Sequence, residues 1–165
     1  MRASHRICVT DANIWIDVHH GNILDEVFEL GLQLVTTDLV VAELDRPKGD
    51  LLVQRGLKAI SLSGAEVGEI LQLRARHRRL SFADLSALLL ARKFSSMLLT
   101  GDRRLRKLAK AHGLEVHGIL WVLEELVRRG TLKPARAARA LEAIIQGGAR
   151  LPREECRRLL QKWQA

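Results

Sequence analysis

Four carboxylates of this 165-residue chain sit where they could do chemistry: Asp11, Glu43, Asp84 and Asp102. Asp11 ends the β-rich run RICVT, and Asp102 follows the short apolar run Met97-Leu98-Leu99 and the turn Thr100-Gly101. Asp84 lies three residues after Ser81, in the first turn of a predicted helix. Glu43 lies in a short helix predicted over Leu39–Leu44, flanked by Val40, Val41, Ala42 and Leu44. Acids at helix starts face backbone N–H groups and the favourable end of the dipole. Each also has an ordinary duty: N-caps for Asp11 and Asp102, an acidic capping box for Ser81 and Asp84, a solvated face for Glu43. Taken together, they suggest one cluster. Clustered carboxylates repel one another unless protonated or bound to cations. Hard oxygen donors with no nearby Cys or His suit Mg2+ or Mn2+. Such a set supports metal-assisted phosphodiester hydrolysis.

The elements that must position these acids read as alternating strands and helices. Strands are predicted at Arg6–Thr10, Gln33–Thr37, Leu57–Leu62, Met97–Leu99 and Leu114–His117. Helices are predicted at Ala12–His20, Ile23–Leu30 (capped by Asn22), Leu39–Leu44 (capped by Asp38 and closed by Pro47 and Gly49), Ser63 to about Arg79, from Ser81, and from Asp102 to Gly113. Three more follow at Ile119–Arg129, Pro134–Ile145 and Pro152–Trp163. Strands separated by helices make βαβ units and a parallel sheet, whose sites lie beyond the C-terminal strand ends. The expected fold class is α/β, three-layer α/β/α with about five parallel strands plus C-terminal helices. The domain spans 1–130, and 131–165 is a helical extension packed on it, with Gly147-Gly148 as a hinge.

The net charge of +8 is distributed in blocks. Residues 74–110 carry 11 basic side chains against only Asp84 and Asp102, whereas residues 1–73 are net −5. A basic block suits either a polyanion or a solvated helix face. Arg103 and Arg104 are nearest the acids; Arg74, Arg76, Arg78 and Arg79 precede Ser81. With no Tyr and only 4% aromatics, base stacking on exposed rings is not an obvious binding mode. Trp15, Trp121 and Trp163 read as packing residues, and Trp15 equally suits a dimer interface or partner groove. His19, His20 and His77 read as surface residues, and His112 and His117 as helix-end and strand-end residues. Asp38 reads as a cap, and Asp17 and Asp45 as solvated. Cys8 and Cys156 give no disulfide framework, so reduced thiols in the cytoplasm are expected. No apolar run is long enough to span a membrane, and MRASHRICVTD lacks the apolar core of a signal peptide.

At these residues the chain resembles PIN-domain ribonucleases. TDANIWIDV around Asp11, VVAEL around Glu43, LSFADLSALLLA around Asp84 and LLTGDRRLRKLA around Asp102 look like that family's four acidic motifs, in order, across residues 6–127. The resemblance implies divalent-metal-dependent endonucleolytic cleavage of RNA leaving 5′-phosphates, with Asp11, Glu43, Asp84 and Asp102 as catalytic and metal-binding residues. It implies Asn13 and Thr100 as polar residues supporting the acids, a homodimer, and a cognate antitoxin where the member is a VapC-type toxin. The tail departs from many toxin members, which stop near residue 130. The alternative is an RNA-binding or regulatory protein of this fold with weak or no catalysis. A haloacid-dehalogenase-like phosphatase needs an acid where this chain has Asn13, and TDANIW is not the G-x-G-x-x-G of a dinucleotide fold.

Overall fold

RICVT folds as strand β1 (Ile7–Thr10), with Cys8, Val9 and Thr10 buried. In this computed structural model residues 6–165 are described; Met1–His5, at the start of the expected 1–130 domain and just before the expected strand Arg6–Thr10, lie outside them. β2 (Gln33–Thr37), β3 (Lys58–Ile60), β4 (Met97–Leu99) and β5 (Val116–His117) complete one sheet in the order β3-β2-β1-β4-β5. Every pairing is parallel. All of Met97, Leu98 and Leu99 is buried, as unalternating apolar runs in a covered parallel sheet require. From β1 the chain builds β2 and β3 on one side, then returns to build β4 and β5 on the other. The order therefore reverses between β1 and β4, and a crevice opens beyond their C-terminal ends. The register pairs Thr10 with Leu99, and the Asp11 N–H donates to the Leu99 carbonyl at 3.2 Å. Residues following the two strands are thus side by side.

Ten helices among the described residues supply the covering layers of a three-layer α/β/α arrangement. They are α1 (Ala12–His20), α2 (Leu24–Phe28), α3 (Asp38–Glu43), α4 (Gly49–Arg55), α5 (Gly64–Arg76), α6 (Phe82–Phe94), α7 (Arg103–Ala111), α8 (Ile119–Arg128), α9 (Pro134–Gln146) and α10 (Arg153–Gln164). α6 lies against β1, β2 and β4, flanked by α3, α5 and α7. Its residues Leu85 to Ala91 are buried without interruption, so this helix is apolar nearly all round. α9 packs on α1 and α8, and α10 on α9, burying Leu141, Ile144, Leu159 and Trp163. Trp15 is a core residue: its ring stacks on Phe28 at 5.4 Å, and its Nε1–H donates to Thr10 Oγ1 at 2.8 Å.

Local chemistry departs from the sequence reading at a few points. Pro47 and Gly49 do not simply end a helix; Gly49 begins α4. A Cβ at Gly49 would stand 2.2 Å from the Val41 carbonyl oxygen, so glycine is there for close approach. Thr37, not Asp38, caps α3, its Oγ1 accepting from the Val40 N–H at 3.2 Å. Asp38 instead accepts from the Ser61 hydroxyl at 3.1 Å. Asn22 adopts φ +52° in the turn before α2 and makes no side-chain cap. α5 stops at Arg76, short of the expected Arg79. The remaining helix boundaries fall within a few residues of expectation.

Candidate active site

Asp11 leaves the end of β1 and caps α1, its Oδ1 accepting the Ile14 N–H at 2.9 Å. Its other oxygen accepts the Thr100 hydroxyl. Thr100, from the end of β4, is itself buried, and its Oγ1 also accepts the Asp102 N–H at 3.0 Å. One hydroxyl therefore ties the two strand ends together. Asp102 caps α7, with Oδ1 accepting the Leu105 N–H at 2.9 Å. Asp11 is fully buried, whereas Asp102 is only partly so.

Asp84 arrives from α6. Ser81 and Asp84 form a reciprocal capping box: the Asp84 N–H donates to Ser81 Oγ at 3.0 Å, and the Ser81 N–H donates to Asp84 Oδ2 at 2.9 Å. Glu43 is the last residue of α3 and is exposed, so its apolar neighbours do not bury it. Glu43, Asp84 and Asp102 share the wall of one depression of about 470 Å3 with Asn13, Ser81, Asp45 and Arg46. Three of the four sequence-predicted acids share this wall; Asp11 does not line it but lies near enough for the charges of Asp84 and Asp102 to act on it.

Their charges act on one another. Burial pushes the Asp11 carboxyl up to about 7; the Thr100 and Ile14 hydrogen bonds offset part of that, and the charges of Asp84 and Asp102 add to it. Although the residue is exposed, the Glu43 carboxyl is raised as well, by partial loss of hydration first and then by Asp84. Asp84 Oδ1 and Asp102 Oδ2 have no hydrogen-bond partner among the described residues. Among those residues no three Asp, Glu, His or Cys side chains already close around a single point. The donor set still fits a hard divalent cation. All its atoms are carboxylate oxygens, and their mutual repulsion is what a cation relieves.

Asn13 makes no hydrogen bond to the acids. It stands beside Gly101 on the ridge between two hollows and lines both. The second hollow, about 580 Å3, is lined by Asn13, Asp17, Asp102, Arg103, Arg104 and the segment Gly148–Leu151. Asp17 is not on a solvated face: it is 6% exposed, and burial, partly offset by His20, pushes its carboxyl up to about 6. Its spacing of four from Asn13 was the signal that could have placed it on the crevice side of α1. Arg150 gave no such signal, because it reaches this hollow only through the packing of the tail. Arg104 also lines a third groove with Arg76, Arg78, Arg79 and Lys107 over Leu80, Leu108 and Ala111.

A family model for the PIN domain matches residues 7–165, so the match runs through the tail. No curated protein matches the chain. PIN domains are a nuclease fold, generally of metal-dependent ribonucleases. With its five parallel strands and its acids gathered where β1 and β4 part, this chain belongs to the PIN-domain family.

Proposed function

We propose that the protein is a divalent-metal-dependent endoribonuclease, with Asp11, Glu43, Asp84 and Asp102 as its acidic centre. The supporting observation is the electrostatic coupling of acids from four elements, in which Asp84 and Asp102 act on Asp11 and Asp84 acts on Glu43. Asp11, Glu43, Asp84 and Asp102 would hold Mg2+ or Mn2+ between them, Asp11 being the buried member of the set. A cation there supplies Lewis-acid chemistry, neutralising phosphodiester charge and acidifying water. The chain's own residues do the positioning. Thr100 holds Asp11 and the start of α7 in fixed relation, the Ser81 box fixes Asp84, and Arg103 and Arg104 bind phosphates of the RNA.

The expected products carry 5′-phosphates. A toxin role with a cognate antitoxin, a homodimer and a cytoplasmic setting belong to this proposal through the family resemblance. Residues 131–165 are an extension packed on the nuclease domain. Among the described residues no helix is long and apolar enough to cross a membrane.

The test is cleavage of single-stranded RNA in Mg2+ or Mn2+. EDTA should abolish it, and so should Asp84→Asn and Asp11→Asn in proteins that remain folded by circular dichroism. Cleavage surviving both substitutions overturns the assignment. Salt-sensitive RNA binding with no cleavage in any divalent metal replaces it with an RNA-binding module.

A further inference from the structure

The tail reaches the crevice at one place. Between α9 and α10, Gly148, Ala149, Arg150 and Leu151 line the second hollow opposite Asn13, Asp17, Asp102, Arg103 and Arg104. Packing holds this segment in place. α9 lies on α1, and a Cβ at Gly21 would stand 3.0 Å from Ile144. A Cβ at Gly147 would stand 2.3 Å from His20 Nδ1 and 2.6 Å from its Cγ, so the chain leaves α9 pressed against α1. Gly148 then turns at φ +104°, a conformation that other residues rarely adopt, and delivers Arg150.

The arginines of this hollow differ from five others in the C-terminal part in forming no ion pair among the described residues. Those five, Arg128, Arg129, Arg136, Arg157 and Arg158, each pair with a glutamate. The side chains of Arg103, Arg104 and Arg150 have no ion-pair or hydrogen-bond partner among the described residues. Asp17 and Asp102, the acids of this hollow, form no ion pair with them among the described residues. Three guanidiniums without an ion-pair partner line this one hollow with Asp102 and suit a phosphate, whose oxygens accept their N–H groups in pairs. The hollow adjoins the acid depression, for Asn13 and Asp102 line both. A strand held at the acids would therefore pass beside this hollow.

We infer that Arg150 is a substrate-binding residue: with Arg103 and Arg104 it grips an RNA phosphate beside the bond being cut, making the tail part of the substrate site. This rests on the ribonuclease reading. It adds a residue outside the four acidic motifs and gives the loop between the last two helices a direct contact with RNA.

The experiment uses the full chain and a single-stranded RNA oligonucleotide. Binding is measured in EDTA across a salt series, and cleavage is measured in Mg2+ or Mn2+. In Arg150→Ala the slope of log K against log salt should fall by about 0.7, one single-strand phosphate contact. KM should rise by about 3- to 10-fold with kcat little changed, as loss of a binding contact predicts. Arg150→Lys should recover part of the slope, and Arg157→Ala, which removes a guanidinium paired with Glu154, should leave it unchanged. Arg150 is exposed, so the variants should keep the wild-type melting temperature. A slope and KM unchanged in Arg150→Ala overturn the inference while leaving the nuclease intact. Binding without cleavage sinks the nuclease reading, yet the slope still decides the role of Arg150. No RNA binding by the wild type overturns both.

Discussion

Two hollows share the ridge formed by Asn13 and Asp102, and their charges are held in opposite ways. On one side Asp11, Asp84 and Asp102 are each fixed by a cap: to the Ile14, Ser81 and Leu105 N–H groups. On the other side Arg103, Arg104 and Arg150 are exposed and have no partner among the described residues. The difference follows from what each side must bind. A small cation needs several oxygens near one point, so the acids sit on short, rigid attachments to helix starts. A nucleic-acid backbone offers a phosphate at every step, so long side chains with freedom to adjust serve better. The acids cannot move apart, and at Asp11 the charges of Asp84 and Asp102 add to the cost of burial.

Removing a cap-held acid should break this division most sharply. Asp102→Asn is expected to lower cleavage by on the order of 10³-fold while leaving RNA binding in EDTA equal or tighter, because a negative charge beside the arginines is lost. Single-turnover cleavage and equilibrium binding on the same preparation check it; a parallel loss of binding would mean that the two sides are not separate in function.

The burial of Asp11, to which its acidic neighbours add, sets the next effect. Asp11 has a folded-state value of about 7 against an ordinary 3.8, so the folded protein holds the extra proton between those limits. Its contribution to stability is therefore full at low pH, falls as pH rises through that window, and is lost above it. The amount is a few kcal/mol, at about 1.4 kcal/mol for each unit. Metal-free protein should lose stability over this range by thermal melting, and Asp11→Asn should flatten the loss. Added Mg2+ or Mn2+ should raise the melting temperature more at about pH 8 than at about pH 5. An Asp11→Asn profile identical to the wild type would show that the charge is not under tension.

Thr100→Val keeps the shape but removes the hydroxyl shared by Asp11 and the Asp102 N–H. We expect a loss of about 1–3 kcal/mol in denaturant unfolding. The Asp11 titration should move further upward, since that hydrogen bond is among the influences lowering it. Carboxyl NMR of Asp11 would read this directly.

The smallest effects belong to the arginines, and there the contrast is between unpaired and paired ones. Arg104 borders both the second hollow and the groove with Arg76, Arg78, Arg79 and Lys107. Arg104→Ala should weaken RNA binding by about 10-fold at low salt, with the gap closing as salt rises. Arg128→Ala, which removes an exposed partner of Glu125, should leave binding unaltered and change stability by less than about 1 kcal/mol.

Much of this was legible in the chain itself, because it depends on local chemistry. Runs such as Met97-Leu98-Leu99 announce covered strands, and Ser81 with Asp84 announces a capping box whichever neighbours surround it. The alternation of strands and helices announces a parallel sheet, and with it an edge where Asp11 and Asp102 must lie. What the sequence left open depended on surroundings brought from far along the chain. Asp17 looked like any helix-surface acid, yet beside the Gly101 turn it is buried, and Glu43 is exposed although Val40 and Leu44 beside it are buried. Gly49 read as a stop because its close approach to Val41 is a contact between helices. Arg150 was one basic residue among many until α9 packed against α1 and turned it toward the acids. Periodicity and capping are short-range and survive in a bare sequence; burial and the meeting of charges are properties of the packed chain, and only the tertiary structure decides them.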